Sequence, residues 1–387
     1  MKILIAPDSY KGSLSATEAA NAIEKGIKRV MPGANITKVP MADGGEGTID
    51  SLLAGSTGKL SYKKVTGPMG KPVRARYGNL NKGKTAVIEM AEASGLMLVK
   101  AVDRNPMKAS SYGTGELILE AIAKGSDKLI IGIGGSATID GGMGMAQALG
   151  VKFYNNKGKL IEAAGNGHLL SKIVSIDVSQ VNPEVYKCGV IVASDVQNPL
   201  CGKQGAANIF GAQKGATAKT IIMLDKNLRH FVKIIKKELG KDISKEKMTG
   251  AAGGLGMGLK IFAKAKLQSG IDIVIESNKL KDHIKKADLV ITGEGQIDAQ
   301  TLFGKAPAGV ALLSKKLKVP VVMIGGGLAD DASDVFKIGV DGLEGTVIRY
   351  MSFEEGHSKS SQYLSDAAER VIRLVLLGKK MNKTNQS

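Results

Sequence analysis

The chain contains no tryptophan, and aromatic residues fill only 4% of its 387 positions. Proteins that hold single-stranded nucleic acid by base stacking depend on aromatic platforms, so that class is disfavoured whatever the charge. Cysteine is almost missing as well: Cys188 and Cys201 are the whole supply. Two thiols are too few for a disulfide framework, and a reduced, cytoplasmic protein is expected. The four histidines, His168, His230, His283 and His357, stand far apart and outside every other cluster, with no Cys/His spacing suited to a metal. No Ser/His/Asp signature is visible. No apolar run approaches the ~20 residues of a membrane span, and the run from Ile3 to Ala6 is too short for a secretion signal.

Glycine is what the chain has in excess, with 50 residues and no collagen period. The glycines cluster after apolar runs, which suits loops that hold ligands. The formal charge is +18. Nucleic acid, a membrane surface or small anions would each account for it. The lysines are scattered through amphipathic segments such as residues 233 to 247. That distribution fits a solvated basic face, and an anionic substrate fits it too. The length and the 43% hydrophobic content support two ordinary domains.

The stretch from Lys128 to Gly150 organises the rest. Leu129 to Ile133 has the length of a buried strand. Gly134, Gly135 and Ser136 follow, then Asp140, Gly141, Gly142 and Gly144, then helix formers from Met143 to Leu149. Without Cβ atoms the backbone N–H groups can approach an anion, and a helix starting there adds its positive end. The pattern predicts a strand, a phosphate-sized cradle and a helix.

Similar units recur along the chain. A strand over residues 2–7 precedes a helix from Thr17 to Met31, with Ser15 and Glu18 placed as a capping box. A strand over 35–41 leads through Asp43-Gly-Gly-Glu-Gly-Thr48 into a helix ending at Ala54. Residues 60–92 alternate like hairpins of an antiparallel or mixed sheet. Later strands are expected at 188–194, 271–275, 288–292, 320–324 and 345–349, with helices over 115–123, 217–239, 306–315 and at the C-terminus, and a frayed tail from Met381 to Ser387. The expected fold is α/β. A doubly wound, Rossmann-like domain is built from residues 1–60 and 285–387, and a mixed-sheet α/β domain is inserted at 61–284.

In an open α/β sheet, ligands bind beyond the carboxyl ends of the strands. Those ends carry Asp8 and Lys11, Asp43 and Glu46, Gly134 to Asp140, Asp195 and Asn198, and Glu294 and Asp298. Glycine cradles, lysines and carboxylates are the equipment of phosphoryl transfer, in which catalysis is mostly positioning and charge neutralisation. Two motif matches are decoys. Gly78-Asn-Leu-Asn-Lys-Gly-Lys-Thr85 satisfies the P-loop pattern, but Arg74 and Arg76 make the preceding strand half exposed and Ala86-Val-Ile returns as a strand, so a hairpin turn is expected. Gly132-x-Gly134-x-x-Ala137 approaches the dinucleotide fingerprint, but no acid follows at the right distance on a strand, which leaves an NAD-linked oxidoreductase of a small hydroxy acid as a minor alternative.

Seven segments together resemble the bacterial glycerate kinase family. They are Asp8-Ser-Tyr-Lys-Gly-Ser-Leu-Ser-Ala16, Ala42-Asp-Gly-Gly-Glu-Gly-Thr48, Ile133-Gly-Gly-Ser-Ala-Thr138 with Asp140-Gly-Gly142, Asp195-Val-Gln-Asn-Pro-Leu200, Gln213-Lys-Gly215, Gly250-Ala-Ala-Gly-Gly-Leu-Gly256, and Thr292-Gly-Glu-Gly295 with Asp298-x-Gln300. The resemblance runs from about residue 1 to 375. It implies ATP-dependent phosphorylation of D-glycerate, a Mg²⁺ requirement, and two α/β domains with the site in the cleft between them. The family's usual residues are replaced by Ile139, Ala212 and Gln296, and the last removes a charge from a motif aimed at phosphate.

The candidate roles follow. Gly134, Gly135, Ser136 and Asp140, with Gly253 and Gly254, would hold nucleotide phosphates. Lys11, with Lys203 or Lys214, would neutralise phosphate or the substrate carboxylate, and Ser13, Asn198 and Gly295 would line the same site. Asp43, Glu46, Asp195 and Glu294 form the pool for Mg²⁺ and the general base, with Asp298 added as a metal candidate and Asp8 as a catalytic one. Asp195 is the preferred base, because its strand is expected beside the central one. The expected product is 2-phosphoglycerate, with 3-phosphoglycerate as the alternative. The expected partner is D-glycerate, with no nucleic acid and no membrane, and a homodimer is compatible with the sequence.

Overall fold

Five parallel strands make the sheet of one compact unit. Their spatial order is Gly342–Gly345, Val321–Leu328, Leu289–Ile297, Lys2–Ile5 and Asn35–Lys38. A computed structural model describes residues 1–243, 246–302 and 304–384. The unit comprises Met1–Asp43, Asp50–Gly55 and the chain from Ile271 onward. Apolar residues run continuously along its central strands, and successive side chains take opposite faces. Ile3, Ile5, Leu289, Ile291 and Ile324 bury one face against the helices Ala16–Val30 and Ser360–Thr384. Leu4, Val290, Val321 and Met323 point the other way and are also buried, and the helix Ala306–Lys316 packs on the strands Leu289–Ile297 and Val321–Leu328. Both faces are therefore covered, as a doubly wound sheet requires.

The first helix starts where its capping box places it. Ser15 Oγ accepts from Glu18 N at 3.2 Å, and the Glu18 carboxylate accepts from Ser15 N at 2.8 Å. The C-terminal helix runs to Thr384, so the tail expected from Met381 is helical over its first four residues, and residues 385–387 lie outside the described residues.

The second unit comprises Gly44–Ile49 and Ser56–Gly270. The sequence placed the inserted domain at 61–284; the contacts divide the chain at 56 and 270 and add the short glycine segment. Its main sheet is mixed, in the order Lys266–Gln268, Gly189–Ala193, Lys128–Gly132, Thr85–Glu89, Pro72–Leu80 and Lys59–Thr66. The last two junctions are antiparallel and the others parallel. Phe153, Phe231 and Phe262 meet at centroid distances of 5.9 to 6.4 Å in the centre of its apolar core. A two-stranded ribbon, Lys152–Tyr154 with Ser175–Asp177, escaped the sequence reading.

The P-loop-like segment is a hairpin. Leu80 pairs with Thr85 across a turn in which Lys82 takes a φ of 57°, and Lys84 is exposed, 3.9 Å from Asp127. Three expectations fail. Residues 271–275 are not a strand but part of the helix Gly270–Ser277. The β-branched run Ile271-Asp-Ile-Val-Ile275 suggested a strand, yet Asp195 accepts from Gly270 N at 3.0 Å and Ser269 Oγ at 2.9 Å, which fastens the start of a helix there. The glycines of Gly293-Glu294-Gly295 do not form a loop; the strand Leu289–Ile297 runs through them. The last strand is Gly342–Gly345 rather than 345–349.

Candidate active site

The central element of the second unit is the expected strand, loop and helix. The strand Lys128–Gly132 leads through residues 133–142 into the helix Met143–Ala148. The helix end is already occupied. Asp140 is fully buried, and its carboxylate accepts from Ser111 Oγ at 2.6 Å, Ser111 N at 2.8 Å, Gly142 N at 3.0 Å and Gly144 N at 3.3 Å. Ser111 Oγ in turn accepts from Met145 N at 3.0 Å. The N–H groups that were expected to meet phosphate are therefore spent on a carboxylate belonging to the loop. Burial raises the Asp140 pKa, and the four donors oppose that rise. Asp140 is thus an internal counter-anion rather than a ligand-facing group. Ser111 was missed, although the run Ser110-Ser-Tyr-Gly-Thr-Gly115 before a helix is a polar, small-residue signal.

Gly253 and Gly254 also depart from their expected role. Both are buried, and Gly141 N donates to Gly253 O at 3.0 Å. A Cβ on Gly253 would lie 1.9 Å from Thr138 O, with φ at +68°. Here glycine allows two loops to pack backbone on backbone. What stays accessible is Gly134 and Gly135, with Ser136 just beneath at 6% exposure. Ser136 Oγ accepts from Lys214 Nζ at 2.6 Å, and Thr138 O accepts from the same ammonium at 2.9 Å. Lys214 is 2% exposed, and burial pushes its pKa down to about 7 against the opposing charge of Asp140. It braces the loop from within.

The strand Gly189–Ala193 lies directly beside the central strand, as expected, and carries Asp195 past its end. Asn198 Nδ2 donates to Gln204 O at 2.8 Å, which folds the following turn, and Lys203 is exposed. Glu46 is exposed in the segment Gly44–Ile49, whose last residue donates its N–H to Glu89 Oε1 at 2.8 Å.

In the first unit the sheet order changes direction between Lys2–Ile5 and Leu289–Ile297, the crevice where open sheets bind ligands. Asp8 sits there at 6% exposure, with its N–H on Gly293 O at 2.8 Å and Ser9 N on its own Oδ1 at 2.6 Å. Burial, then the charge of Asp43 and to a lesser extent that of Glu294, pushes its pKa up to about 7, while Ser9 N and Lys11 pull the other way. Tyr10 reaches across the sheet to donate to Ile324 O at 2.7 Å, and Ser13 Oγ donates to Tyr10 O at 3.0 Å. Gly295 lies so close that a Cβ would come 3.1 Å from Lys11 N. His357, outside every sequence cluster, has its Nε2 on Gly12 O.

Within the first unit, Glu294 and Asp298 share Lys305 Nζ, at 3.0 and 4.0 Å, and the charges of Asp43 and Glu294 both act on Asp8. Among the described residues no group of three or more His, Cys, Asp or Glu is placed to hold a metal ion. Glu294 is committed to Thr301 Oγ1 at 2.8 Å and Lys305 Nζ at 3.0 Å, and Asp298 closes a turn on Gln300 N and Thr301 N. Lys305 was missed; its position just before Ala306-Pro307 at a helix start was the available signal. The Asp8 and Asp43 carboxylates fit a divalent cation, since burial and then the charge of Asp43 raise the Asp8 pKa, and a bound positive charge would offset both. Mg²⁺ takes one or two carboxylates and completes its shell with phosphates and water, so a three-acid cage is not needed.

Among the described residues no helix is long and apolar enough to cross a membrane. A model of the glycerate kinase family matches residues 3–376. The glycerate kinase of Bacillus subtilis (strain 168) is 48% identical over 381 residues, covering 98% of this chain and 99% of that one. The glycerate 2-kinase of Escherichia coli (strain K12) is 46% identical, with 98% and 99% covered. A crystal structure assigned as glycerate kinase 2 of Salmonella typhimurium LT2 superposes with a TM-score of 0.87 at 43% identity, covering 98% of this chain and 99% of that one. With the family matched over nearly its whole length, and the fold shared with a solved relative, this chain belongs to the glycerate kinase family, kinases that phosphorylate an alcohol group.

Proposed function

We propose that this enzyme uses MgATP to phosphorylate D-glycerate on its 2-hydroxyl, giving 2-phosphoglycerate and ADP in the cytoplasm. The observation that carries the regiochemistry is the 46% identity, over nearly the full length of both chains, to a protein named glycerate 2-kinase. The two free thiols suit a reducing compartment.

In this reading the accessible part of the glycine loop, Gly134 and Gly135 with Ser136, receives anionic oxygens. Lys214 holds Ser136 by donating to its Oγ, which leaves the serine proton for a ligand. Lys11, exposed beside Asp8, and Lys203 neutralise phosphate or the substrate carboxylate. When bound, Mg²⁺ would be held by Asp8 and Asp43 and would neutralise phosphate oxygens. Asp195 accepts the proton of the attacking hydroxyl, with Ser269 and Gly270 fixing one of its oxygens. Positioning and charge neutralisation then supply most of the rate.

The test is a coupled assay. The product made from D-glycerate and MgATP is fed to enolase with and without phosphoglycerate mutase. Phosphoenolpyruvate without mutase is the expected result. Formation only with mutase means the 3-hydroxyl is the acceptor. Asp195→Asn is expected to lower kcat at least about a hundredfold; a near-normal kcat removes it from the role of base.

A further inference from the structure

The segment from Ser94 to Ser111 forms a collar around the glycine loop. Leu96 N donates to Gly135 O at 2.8 Å, Ala137 N donates to Ser94 O at 2.9 Å, and Ser111 closes the far end on Asp140. Val99 and Ala109 of the collar pack on Ala137. Arg104 lies in the middle of this segment. It sits against the turn Ala212–Lys214, whose lysine reaches Ser136 and Thr138.

The donor inventory of Arg104 does not balance. A guanidinium offers five N–H donors and accepts nothing. Among the described residues, Arg104 Nε is buried with no hydrogen-bond partner. Nη1 donates to Gln213 O at a long 3.4 Å. No carboxylate among the described residues pairs with it, whereas Arg76, Arg229, Arg349 and Arg370 each hold a glutamate or aspartate within 3 Å. Buried donors in native proteins are almost always satisfied. The chain also gives up a side chain to seat this residue. A Cβ on Gly215 would lie 2.3 Å from Arg104 O and 2.9 Å from Arg104 Cβ, and Gly215 has a φ of +88°. A half-buried cation with its backbone packed against Gly215, its Nε unpaired and no carboxylate partner among the described residues is placed to receive an anion from outside the chain.

We propose that Arg104 is a substrate-binding residue of the kinase, its guanidinium taking an anionic oxygen of a ligand seated at Gly134–Ser136. The inference rests on the placement of a substrate anion at that loop. The anionic oxygen has two possible sources with one chemistry, the glycerate carboxylate and a nucleotide phosphate. A planar fork suits either one.

The experiment titrates ATP and D-glycerate separately onto wild type, Arg104→Gln and Arg104→Lys, and measures both KM values and the Tm of each protein. Loss of a charge-assisted contact predicts that affinity and KM for one of the two ligands worsen roughly tenfold to hundredfold in Arg104→Gln. The other ligand stays within about twofold and the Tm is little changed. Arg104→Lys, which keeps the charge and loses the fork, should fall between. Weakening confined to D-glycerate identifies the carboxylate, and weakening confined to ATP identifies phosphate. Binding of both ligands within about twofold of wild type overturns the proposal. So does an equal loss for both ligands accompanied by a fall in Tm, which is the mark of a purely structural arginine. A wild type that binds and hydrolyses ATP but does not phosphorylate D-glycerate would refute the proposed substrate instead, and the ATP titration would still decide the role of Arg104.

Discussion

The two units treat their charged groups in opposite ways. In the second unit the carboxylate of Asp140 is buried and met by four donors, and Lys214 is buried and met by two acceptors. In the first unit Asp8 is also buried, at 6% exposure, and burial first, then the charges of Asp43 and Glu294, raise its pKa. Satisfied buried networks rigidify a fold, and unsatisfied ones mark function. The glycine loop is therefore a pre-built frame with a small accessible rim, and the switch point of the parallel sheet is a place of electrostatic tension that a ligand relieves.

That contrast can be broken or sharpened by substitution. The largest effect is expected at Asp140. Replacing it with alanine strands four buried donors and should destabilise the protein by roughly 3–5 kcal/mol in chemical denaturation. A small loss would mean that the loop does not depend on its internal anion. Asp8→Asn should do the reverse. It relieves like-charge crowding, so stability is kept or raised, while kcat falls about a hundredfold or more and the Mg²⁺ dependence of the rate shifts to higher concentration. A stable variant with full activity would remove Asp8 from the chemistry.

Lys214 sharpens the comparison through pH. Its pKa in the folded chain, about 7, lies below its ordinary value of 10.5. Below about pH 7 the folded and unfolded chains both carry the proton, and the cost of burying the charge is felt in full. Between 7 and 10.5 the unfolded chain binds more protons, so stability rises with pH. Wild type should therefore gain on Lys214→Met between pH 7 and 10, by up to about 1.4 kcal/mol per pH unit. Parallel stability curves for the two proteins would contradict the burial argument. The smallest effect is expected at the start of the first helix: Ser15→Ala removes one cap and should cost about 1 kcal/mol with no change in KM.

Much of the fold was legible because its signals are local. Apolar runs ending in Asp or Gly marked the strands, and Ser15 with Glu18 marked a helix start that the structure reproduces. The hairpin at Gly78 to Thr85 was separable from a P-loop by the alternating Arg74 and Arg76 before it. The misread segment 271–275 shows the limit: β-branched residues in a helix are decided by tertiary partners, here Asp195, which lies 75 residues from Gly270.

The candidate site was legible in its residue types and less so in their work. Glycine motifs indicate close backbone approach, but the sequence does not tell whether the approaching group is a phosphate or, as for Gly253, another loop. Lys305, Ser111 and Arg104 lay outside the recognised motifs, and only the fold brings them to Glu294, Asp140 and the turn Ala212–Lys214.

The most direct test of the function is the phosphorus NMR spectrum of the product formed from D-glycerate and MgATP. A phosphate on the 2-hydroxyl is attached to a carbon bearing one hydrogen, so its signal should be a doublet without proton decoupling. A triplet, from a phosphate on the CH₂ carbon, would contradict phosphorylation at the 2-position, and no new phosphate ester signal would contradict the substrate itself.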